Sequence, residues 1–207
     1  MKAVIIDAGV GNLGNLVRAV EHIGGAAGAA ITVEITLDPA RVAAERCLLL
    51  PGVGAFAPPR EALRGPLEAA LRSALANGAF LLGICVGFQI LFESGEEFGD
   101  LDGLGLLPGR VTRLPANVPV PHIGWNRLHG LTDHPLVAGL DEYVYFVHSY
   151  APEGVPDDLC IARCTHGRAF PAVAGRGRVM GTQFHPERSG AAGLRLLANF
   201  LEMAHGI

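Results

Sequence analysis

The sequence predicts an α/β protein built on an open, mostly parallel sheet, with helices on both faces and an antiparallel extension. Half of the 207 residues are hydrophobic, which is enough for one sizeable core. In the first half of the chain, short apolar runs alternate with stretches of helical spacing, as is typical of parallel sheets. The second half contains closely spaced strand-like segments and ends in an amphipathic helix. We therefore predict a single domain over residues 1–207.

The individual elements follow from hydrophobic periodicity. In the first half, the predicted strands are 3–7, 31–36, 47–50 and 80–84, and the predicted helices are 13–23, 61–75 and 86–94. In the second half, the predicted strands are 111–114, 143–148, 159–164, 172–174 and 178–184, followed by a helix at 193–204. Asn77 and Gly78 form a C-cap signal that ends the helix over 61–75. Some of the later strands are expected to form the antiparallel extension.

Composition and charge exclude several classes of protein. The net charge of −4 and the pI of about 6.0 favour neither nucleic acid nor an anionic membrane as a partner. Apolar stretches are too short for a secretory signal or a membrane span. The four cysteines, Cys47, Cys85, Cys160 and Cys164, lack the spacing of a zinc site, so we expect free thiols and no metal. These observations predict a soluble cytoplasmic protein.

The most informative motif is Gly-Ile-Cys-Val-Gly at residues 83–87, which follows directly on the apolar run 79–82. Glycines on both sides of Cys85 allow a sharp strand-to-helix turn that lifts the cysteine side chain out of the sheet. The free N–H groups and the dipole of the following helix favour a thiolate, which is the nucleophilic form. The same five residues could instead hold a core cysteine between two packing glycines, so a nucleophile needs partners elsewhere in the chain.

Candidate partners lie about a hundred residues further on, in the sequence Gln-Phe-His-Pro-Glu at 183–187. A cysteine nucleophile needs a base, and the base needs a third group that fixes its tautomer. His185 and Glu187 are two residues apart, so in extended backbone their side chains project to the same side. Pro186 would hold the pair stiff. We predict a triad of Cys85, His185 and Glu187.

A third motif would complete a site for acyl transfer. The predicted strand 47–50 runs into Pro51, Gly52, Val53 and Gly54, where main-chain N–H groups could stabilise an oxyanion. All three motifs follow directly on apolar strands. Because ligands of an open α/β sheet bind beyond the carboxyl ends of its strands, we expect one common site at that edge.

A rival interpretation comes from residues 9–14, Gly-Val-Gly-Asn-Leu-Gly, which match the G-x-G-x-x-G pattern of dinucleotide-binding proteins. Glu34 lies at about the right distance to bind a ribose. However, Glu34 falls inside the predicted strand 31–36 and not at its end. A dinucleotide-binding protein would also leave the motifs around Cys85 and His185 unexplained.

The three motifs at 51–54, 83–89 and 185–187 resemble the signatures of class I, triad-type glutamine amidotransferases, which have a flavodoxin-like fold. More narrowly, the chain resembles the glutaminase subunits of imidazole glycerol phosphate synthase, an enzyme of histidine biosynthesis. That narrower resemblance rests on residues 7–13, 121–126 and 145–150 and extends over nearly the whole chain. The departures are small: the family usually has Tyr at Ala8, Leu at Val86, and Met at Phe88 and Ile123.

The resemblance implies a role for each motif in the hydrolysis of L-glutamine. Cys85 attacks the side-chain amide, His185 carries the proton, and Glu187 orients His185. The remaining glutamine contacts that the resemblance implies are the main-chain N–H groups of Gly52, Val53, Gly54 and Val86 and the side chains or strand positions of Gln89, Glu97, His148, Ser149 and Tyr150. No cofactor is implied.

The resemblance also implies a partner, a cyclase subunit with a (βα)₈-barrel fold that receives the ammonia in a heterodimer. Asn12, Asn15, His122 and Trp125 are the candidates for the docking face. Two alternatives stay open on the sequence. The same chemistry could serve another acceptor, in pyridoxal phosphate or anthranilate synthesis, or the chain could be a catalytically silent subunit that regulates a partner.

Overall fold

The computed structural model describes residues 1–9, 13–26, 30–140 and 143–206. Its largest sheet has seven strands in the order β11-β12-β13-β4-β3-β1-β2. The strands of this sheet are β1 Lys2–Ile6, β2 Thr32–Thr36, β3 Cys47–Gly52, β4 Phe80–Cys85, β11 Cys160–His166, β12 Arg168–Arg176 and β13 Val179–Thr182. The five strands from β13 to β2 are parallel, whereas β11 and β12 pair antiparallel at one side. The predicted fold class, including the antiparallel extension, is confirmed.

Helices cover this sheet in two groups. They are α1 Leu13–Ala26, α2 Pro39–Ala44, α3 Ala57–Leu63, α4 Pro66–Ala76, α5 Val86–Gln89 and α6 Gly190–His205. α1 packs against α6, and α2 and α3 pack against α4. The chain passes from β1 to β2 in one direction along the sheet and from β2 through β3 to β4 in the other, so right-handed crossovers place the two groups on opposite faces. The central strands β3 and β4 are consequently buried almost throughout.

Two smaller sheets lie beside the carboxyl ends of the parallel strands. One has the order β10-β7-β5-β6 and the other pairs β8 with β9 antiparallel. Their strands are β5 Ser94–Gly95, β6 Leu101–Asp102, β7 Arg110–Arg113, β8 His122–Arg127, β9 Tyr143–His148 and β10 Tyr150–Glu153. Short 3₁₀ turns occur at Pro135–Val137, Asp157–Leu159 and Pro186–Arg188.

Two predicted helices differ from the structure. The helix expected over 61–75 is split into α3 and α4, because Gly65 has a φ of +76° and Pro66 begins a new helix. The helix expected over 86–94 is only the four residues of α5. Main-chain N–H groups of the loop 103–107 bind the carbonyls of residues 90–93, and this loop packing replaces further helical turns.

The rival dinucleotide site loses its acidic residue. Residues 10–12 of the G-x-G-x-x-G match lie outside the described residues, but Glu34 is described. It forms ion pairs with Arg41 at 2.6 Å and with Lys2 at 2.7 Å. Hydrogen bonds from Arg41 and Lys2 lower the pKa of Glu34 to about 2. Its carboxylate is thus engaged on the sheet edge and not offered to a ribose.

Within the described residues, no helix is both long enough and apolar enough to cross a membrane. The four cysteines are all buried free thiols.

Candidate active site

Cys85 lies at a sharp turn between β4 and α5. Its φ is +55°, a conformation that non-glycine residues rarely adopt, and it directly precedes the first helical residue, Val86. The flanking glycines serve close packing instead. A Cβ on Gly87 would lie 1.8 Å from the carbonyl oxygen of Leu50, and one on Gly83 would lie 2.7 Å from the carbonyl oxygen of Gly87. The motif is therefore a nucleophile elbow in which the cysteine itself carries the backbone strain.

The predicted contribution of a helix dipole at Cys85 is weaker than the sequence suggested. Because α5 has only four residues, little of a macrodipole can build up. The first N–H groups of this turn still lack helical acceptors, so they can donate to a ligand.

His185 and Glu187 form the predicted pair. His185 Nδ1 lies 2.8 Å from Glu187 Oε1, and both side chains are largely buried. The backbone, however, is not extended as expected: Pro186–Arg188 is a 3₁₀ turn, which brings the two side chains together across its start. The main-chain N–H of His185 donates to the carbonyl of Tyr145 at 3.0 Å, so β9 holds the turn in place. His185 Nε2 has no hydrogen-bond partner among the described residues.

The electrostatic surroundings of His185 favour its protonated form. Burial lowers the pKa of His185, but the negative charge of a Cys85 thiolate, together with hydrogen bonds to Cys85 and Glu187, outweighs burial and raises that pKa to about 10. His185 is then an imidazolium beside the cysteine at neutral pH. Such a pair provides a sulfur nucleophile and an acid for the leaving group in one place.

The other three cysteines have different surroundings. Burial raises the pKa of Cys47 and of Cys164 to about 12, and it also raises the pKa of Cys160. These thiols stay protonated at neutral pH and are inert as nucleophiles.

Cys85 opens into a cavity of about 230 Å³, which is the size of a small metabolite's site. The residues that line it are Val53, Gly54, Cys85, Val86, Gln89, Glu97, Pro121, Val147, His148, Ser149, Tyr150 and His185. The structure therefore brings nearly all of the predicted glutamine contacts together. Gly52 is the exception, since it is buried at the end of β3 opposite Cys85, where an added Cβ would lie 2.7 Å from Gly87 N.

Two polar side chains anchor the cavity wall. Gln89 Nε2 donates to the carbonyl of Tyr150 at 2.8 Å and to Gln183 Oε1 at 3.2 Å. Glu97 Oε2 accepts the main-chain N–H of Phe56 at 2.8 Å, which fixes the carboxylate at the cavity edge. Glu97 thereby presents a negative charge, and Gln89 an amide, to any ligand of Cys85.

Sequence reasoning missed three residues of the site. Fully buried Gln183 places its Nε2 3.9 Å from Cys85 Sγ, and the carbonyl of Val147 lies at the same distance. Pro121 lines the cavity. A signal existed for Gln183, because it precedes His185 and Glu187 with the same spacing of two.

The predicted docking residues are placed differently from one another. Trp125 on β8 is 56% exposed and its neighbour Ile123 is 61% exposed, so this strand presents an apolar outer face. Asn15 is half-buried on α1 and accepts a hydrogen bond from Arg18. His122 is buried, which corrects its assignment to an open docking face, and Asn12 lies outside the described residues.

No group of three or more His, Cys, Asp or Glu side chains in the described part of the chain is arranged to hold a metal ion.

Comparisons with known proteins agree with this geometry. A family model, "Glutamine amidotransferase class-I", matches residues 4–204. Imidazole glycerol phosphate synthase subunit HisH of Symbiobacterium thermophilum is 47% identical over 98% of this chain and 94% of its own length. Subunit HisH of Salinibacter ruber is 46% identical over 95% of this chain and 92% of its own length. Subunit HisH of Streptococcus gordonii is 44% identical over 98% and 96%.

Solved structures share the fold at lower identity. A glutamine amidotransferase superposes with a TM-score of 0.75 at 22% identity, covering 100% of this chain and 99% of its own. A putative GMP synthase component from Thermoplasma acidophilum superposes with a TM-score of 0.71 at 18% identity, covering 100% and 94%. On the sequence matches, the chain belongs to the class-I glutamine amidotransferases and, within them, to the family of imidazole glycerol phosphate synthase subunit HisH.

Proposed function

We propose that Cys85, His185 and Glu187 hydrolyse L-glutamine to glutamate and ammonia, and that residues 1–207 act as one domain in doing so. The chain is the glutaminase subunit of imidazole glycerol phosphate synthase, and this proposal assigns the chemistry to residues. The observation that carries it is the arrangement of His185. One ring nitrogen is held by Glu187, while the other, unpartnered among the described residues, belongs to a ring that lines the same cavity as Cys85.

The reaction runs through a thioester. The Cys85 thiolate attacks the side-chain carbonyl carbon of glutamine, forming a C–S bond and a tetrahedral oxyanion. His185 gives its Nε2 proton to the nitrogen of the leaving amide, so the C–N bond breaks and ammonia departs. Neutral His185 then takes a proton from water, whose oxygen attacks the thioester carbonyl. The C–S bond breaks, and glutamate and the Cys85 thiolate are released beside imidazolium.

The oxyanion is stabilised by main-chain N–H groups at two places. Val86 begins α5 directly after the nucleophile, and Val53 and Gly54 follow β3 on the other side of the cavity. Gly52 contributes by close packing, because its lack of a side chain lets β3 approach Gly87. Each such donor typically lowers the barrier by about 3 kcal/mol.

The two ends of the amino acid need opposite charges. Glu97 offers a carboxylate to the α-amino group of glutamine. Ser149 and Tyr150 form the part of the wall that receives the α-carboxylate, and Gln89 and His148 support that wall from behind. The cavity is thus matched to a zwitterion with a short uncharged side chain.

The ammonia is used by a cyclase subunit with a (βα)₈-barrel fold, bound as a heterodimer. The exposed face of β8, with Ile123 and Trp125, and the region of α1 around Asn15 are the surfaces that we assign to docking. A cytoplasmic location belongs to the same proposal, since four buried free thiols suit a reducing compartment. The sequence matches favour this acceptor over pyridoxal phosphate or anthranilate synthesis.

The decisive experiment separates the two half-reactions. The complex of chain and cyclase is supplied with the cyclase's acceptor and either glutamine or an ammonium salt. With Cys85→Ala, product formation from glutamine should fall below detection, whereas formation from ammonium should continue at the wild-type rate. Loss of both activities in an assembled complex would mean that this chain does more than supply ammonia. Glutamine-dependent turnover by Cys85→Ala would remove the cysteine from the mechanism.

A further inference from the structure

A hydrogen-bonded pair of buried histidines lies behind the cavity. His122 of β8 and His148 of β9 stand directly opposite each other in the two-stranded sheet, and their exposed fractions are 4% and 6%. His122 Nδ1 lies 3.0 Å from His148 Nε2. Two ring nitrogens at this distance share one proton, so the pair has a direction that its neighbours determine.

One end of the pair meets the main-chain carbonyl of Tyr150, which lies 2.9 Å from His148 Nδ1. A carbonyl oxygen only accepts hydrogen bonds, so His148 carries a proton on Nδ1. Burial lowers the pKa of His148 to about 3, and the ring is therefore neutral at pH 7. A neutral ring with its proton on Nδ1 has a bare Nε2, and His122 Nδ1 must be the donor between the two rings.

The other end gives the same direction independently. Asn126 Oδ1 accepts the main-chain N–H of Arg127 at 2.7 Å, and Asn126 Nδ2 donates to the carbonyl of Thr165 at 3.2 Å. These main-chain partners fix the orientation of the amide, so Nδ2 is the atom that faces His122 Nε2 at 3.1 Å. His122 Nε2 is consequently an acceptor. The proton of a neutral His122 then sits on Nδ1, as the Tyr150 end requires.

The direction matters because of where this histidine relay (Asn126, His122, His148 and the Tyr150 carbonyl) ends. The Tyr150 carbonyl also accepts a hydrogen bond from Gln89 Nε2, and Gln89, His148 and Tyr150 all line the cavity. We propose that His122 is a positioning residue for glutamine: its N–H fixes the ring of His148, which together with Gln89 holds Tyr150 where the substrate binds. This inference rests on the proposed function, since it concerns the binding of the same glutamine.

Packing and hydrogen bonding at His122 can be separated by two variants. The ring of His122 is stacked between Phe146, at 4.8 Å, and His166, at 4.1 Å between ring centroids. His122→Phe keeps an aromatic ring in this stack but removes the donor to His148. His122→Asn removes the ring but places an amide N–H where Nδ1 was. His166→Phe serves as the matched control, because it keeps the stack and lies outside the relay.

The readout is the glutaminase reaction of the assembled complex with its cyclase partner. We expect His122→Phe to raise KM for glutamine about tenfold with kcat within about threefold of wild type, as for the loss of one hydrogen bond that positions a substrate. His122→Asn should recover most of that loss, and His166→Phe should match wild type. A greater loss in His122→Asn than in His122→Phe would mean that only the ring matters and would overturn the proposal. An equal rise in His166→Phe would do the same.

A second variant does not depend on how well a new ring packs. Asn126→Asp has nearly the same shape, but it presents an acceptor to His122 Nε2 where the amide presented a donor. It should therefore pull the His122 proton to Nε2 and raise KM for glutamine as His122→Phe does. An unchanged KM, with the His122 proton shown to have moved, would overturn the positioning role.

Imidazole ¹⁵N chemical shifts report the tautomers directly. In the wild-type chain at pH 7, both His122 and His148 should be neutral with the proton on Nδ1. A proton on Nε2 of His122, or a charged ring, would overturn the relay irrespective of catalysis. These outcomes are distinct from failure of the proposed function, in which the wild-type complex itself would release no glutamate from glutamine.

Discussion

His185 Nδ1 lies 2.8 Å from Glu187 Oε1, while Nε2 of the same ring is buried without a hydrogen-bond partner among the residues that the structure describes. A carbonyl or hydroxyl on both sides would hold the ring more firmly, but it would also block the nitrogen that must exchange a proton. Glu187 Oε2 is likewise buried and unpartnered within the described residues. Glu187 therefore acts on the reaction only through His185.

This relationship predicts strongly non-additive effects of substitution. We expect His185→Ala to lower kcat for glutamine hydrolysis by about 10³-fold or more, because both proton transfers are lost. Glu187→Ala should cost less, since the ring remains but its tautomer and orientation are free. The double variant should be hardly worse than His185→Ala alone. Steady-state kinetics of the four proteins in the assembled complex check this, and losses that multiply would indicate independent roles.

Cys85 is predicted to be the only cysteine that reacts with an electrophilic analogue of glutamine. The thiols of Cys47, Cys160 and Cys164 are buried, and burial raises the pKa of each. Peptide mass mapping after treatment of the wild-type chain should find the adduct at Cys85 alone, and Cys85→Ala should take up none. An adduct of similar yield on another cysteine would argue against the elbow as the source of reactivity.

The charge on His185 should depend on Cys85. Against the effect of burial, the negative charge of the Cys85 thiolate is the largest influence that raises the pKa of His185 to about 10. Removing that charge takes away what favours the imidazolium, while burial, which opposes it, remains. The pKa of His185 should therefore fall toward its ordinary value in Cys85→Ala. An NMR titration of the His185 ring should find it charged at pH 8 in wild type and titrating at lower pH in the variant; identical titrations would contradict the ion pair.

Strand ends that carry a glycine and a reactive side chain were predictable from the sequence. β3, β4 and β13 are adjacent and parallel, so Val53, Cys85 and His185, each just beyond one of these strands, reach a common edge. Local order along the chain and one topological rule were sufficient to place them together.

β8 could not be predicted from periodicity, because its pattern is inverted. Polar His122 is buried and Asn126 half-buried, whereas Ile123 and Trp125 are exposed. A strand normally buries its apolar residues, and only the buried partners His148 and Thr165 make the reverse arrangement favourable. Such contacts join residues far apart in the sequence, so no local pattern indicates them. Exceptions of this kind are expected where function and not stability selects the residue.

The turn after β3 predicts that the glutaminase is weak in the isolated chain and is activated by the partner. Gly54 has a φ of +86° and open space around it, and its neighbour Val53 is exposed. A peptide plane here can turn so that an N–H points into the cavity or away from it. Moving about 3 kcal/mol of oxyanion stabilisation in or out changes the rate a hundredfold or more. The partner can drive this only by binding the turned state more tightly.

The measurement compares glutamine hydrolysis by the chain alone, with the cyclase, and with the cyclase plus an analogue of its acceptor. We expect the rate to rise at each step, by a hundredfold or more in total. Gly54→Ala should reduce the stimulated rate, because a side chain strains a left-handed φ and restricts the turn of the peptide plane. Gly177→Ala is the matched control, since Gly177 has a φ of +60° and equally open surroundings but joins β12 to β13 at the opposite edge of the sheet. Equal rates in all three mixtures would exclude gating, and equal losses in the two glycine variants would mean that backbone strain, wherever it lies, accounts for the effect.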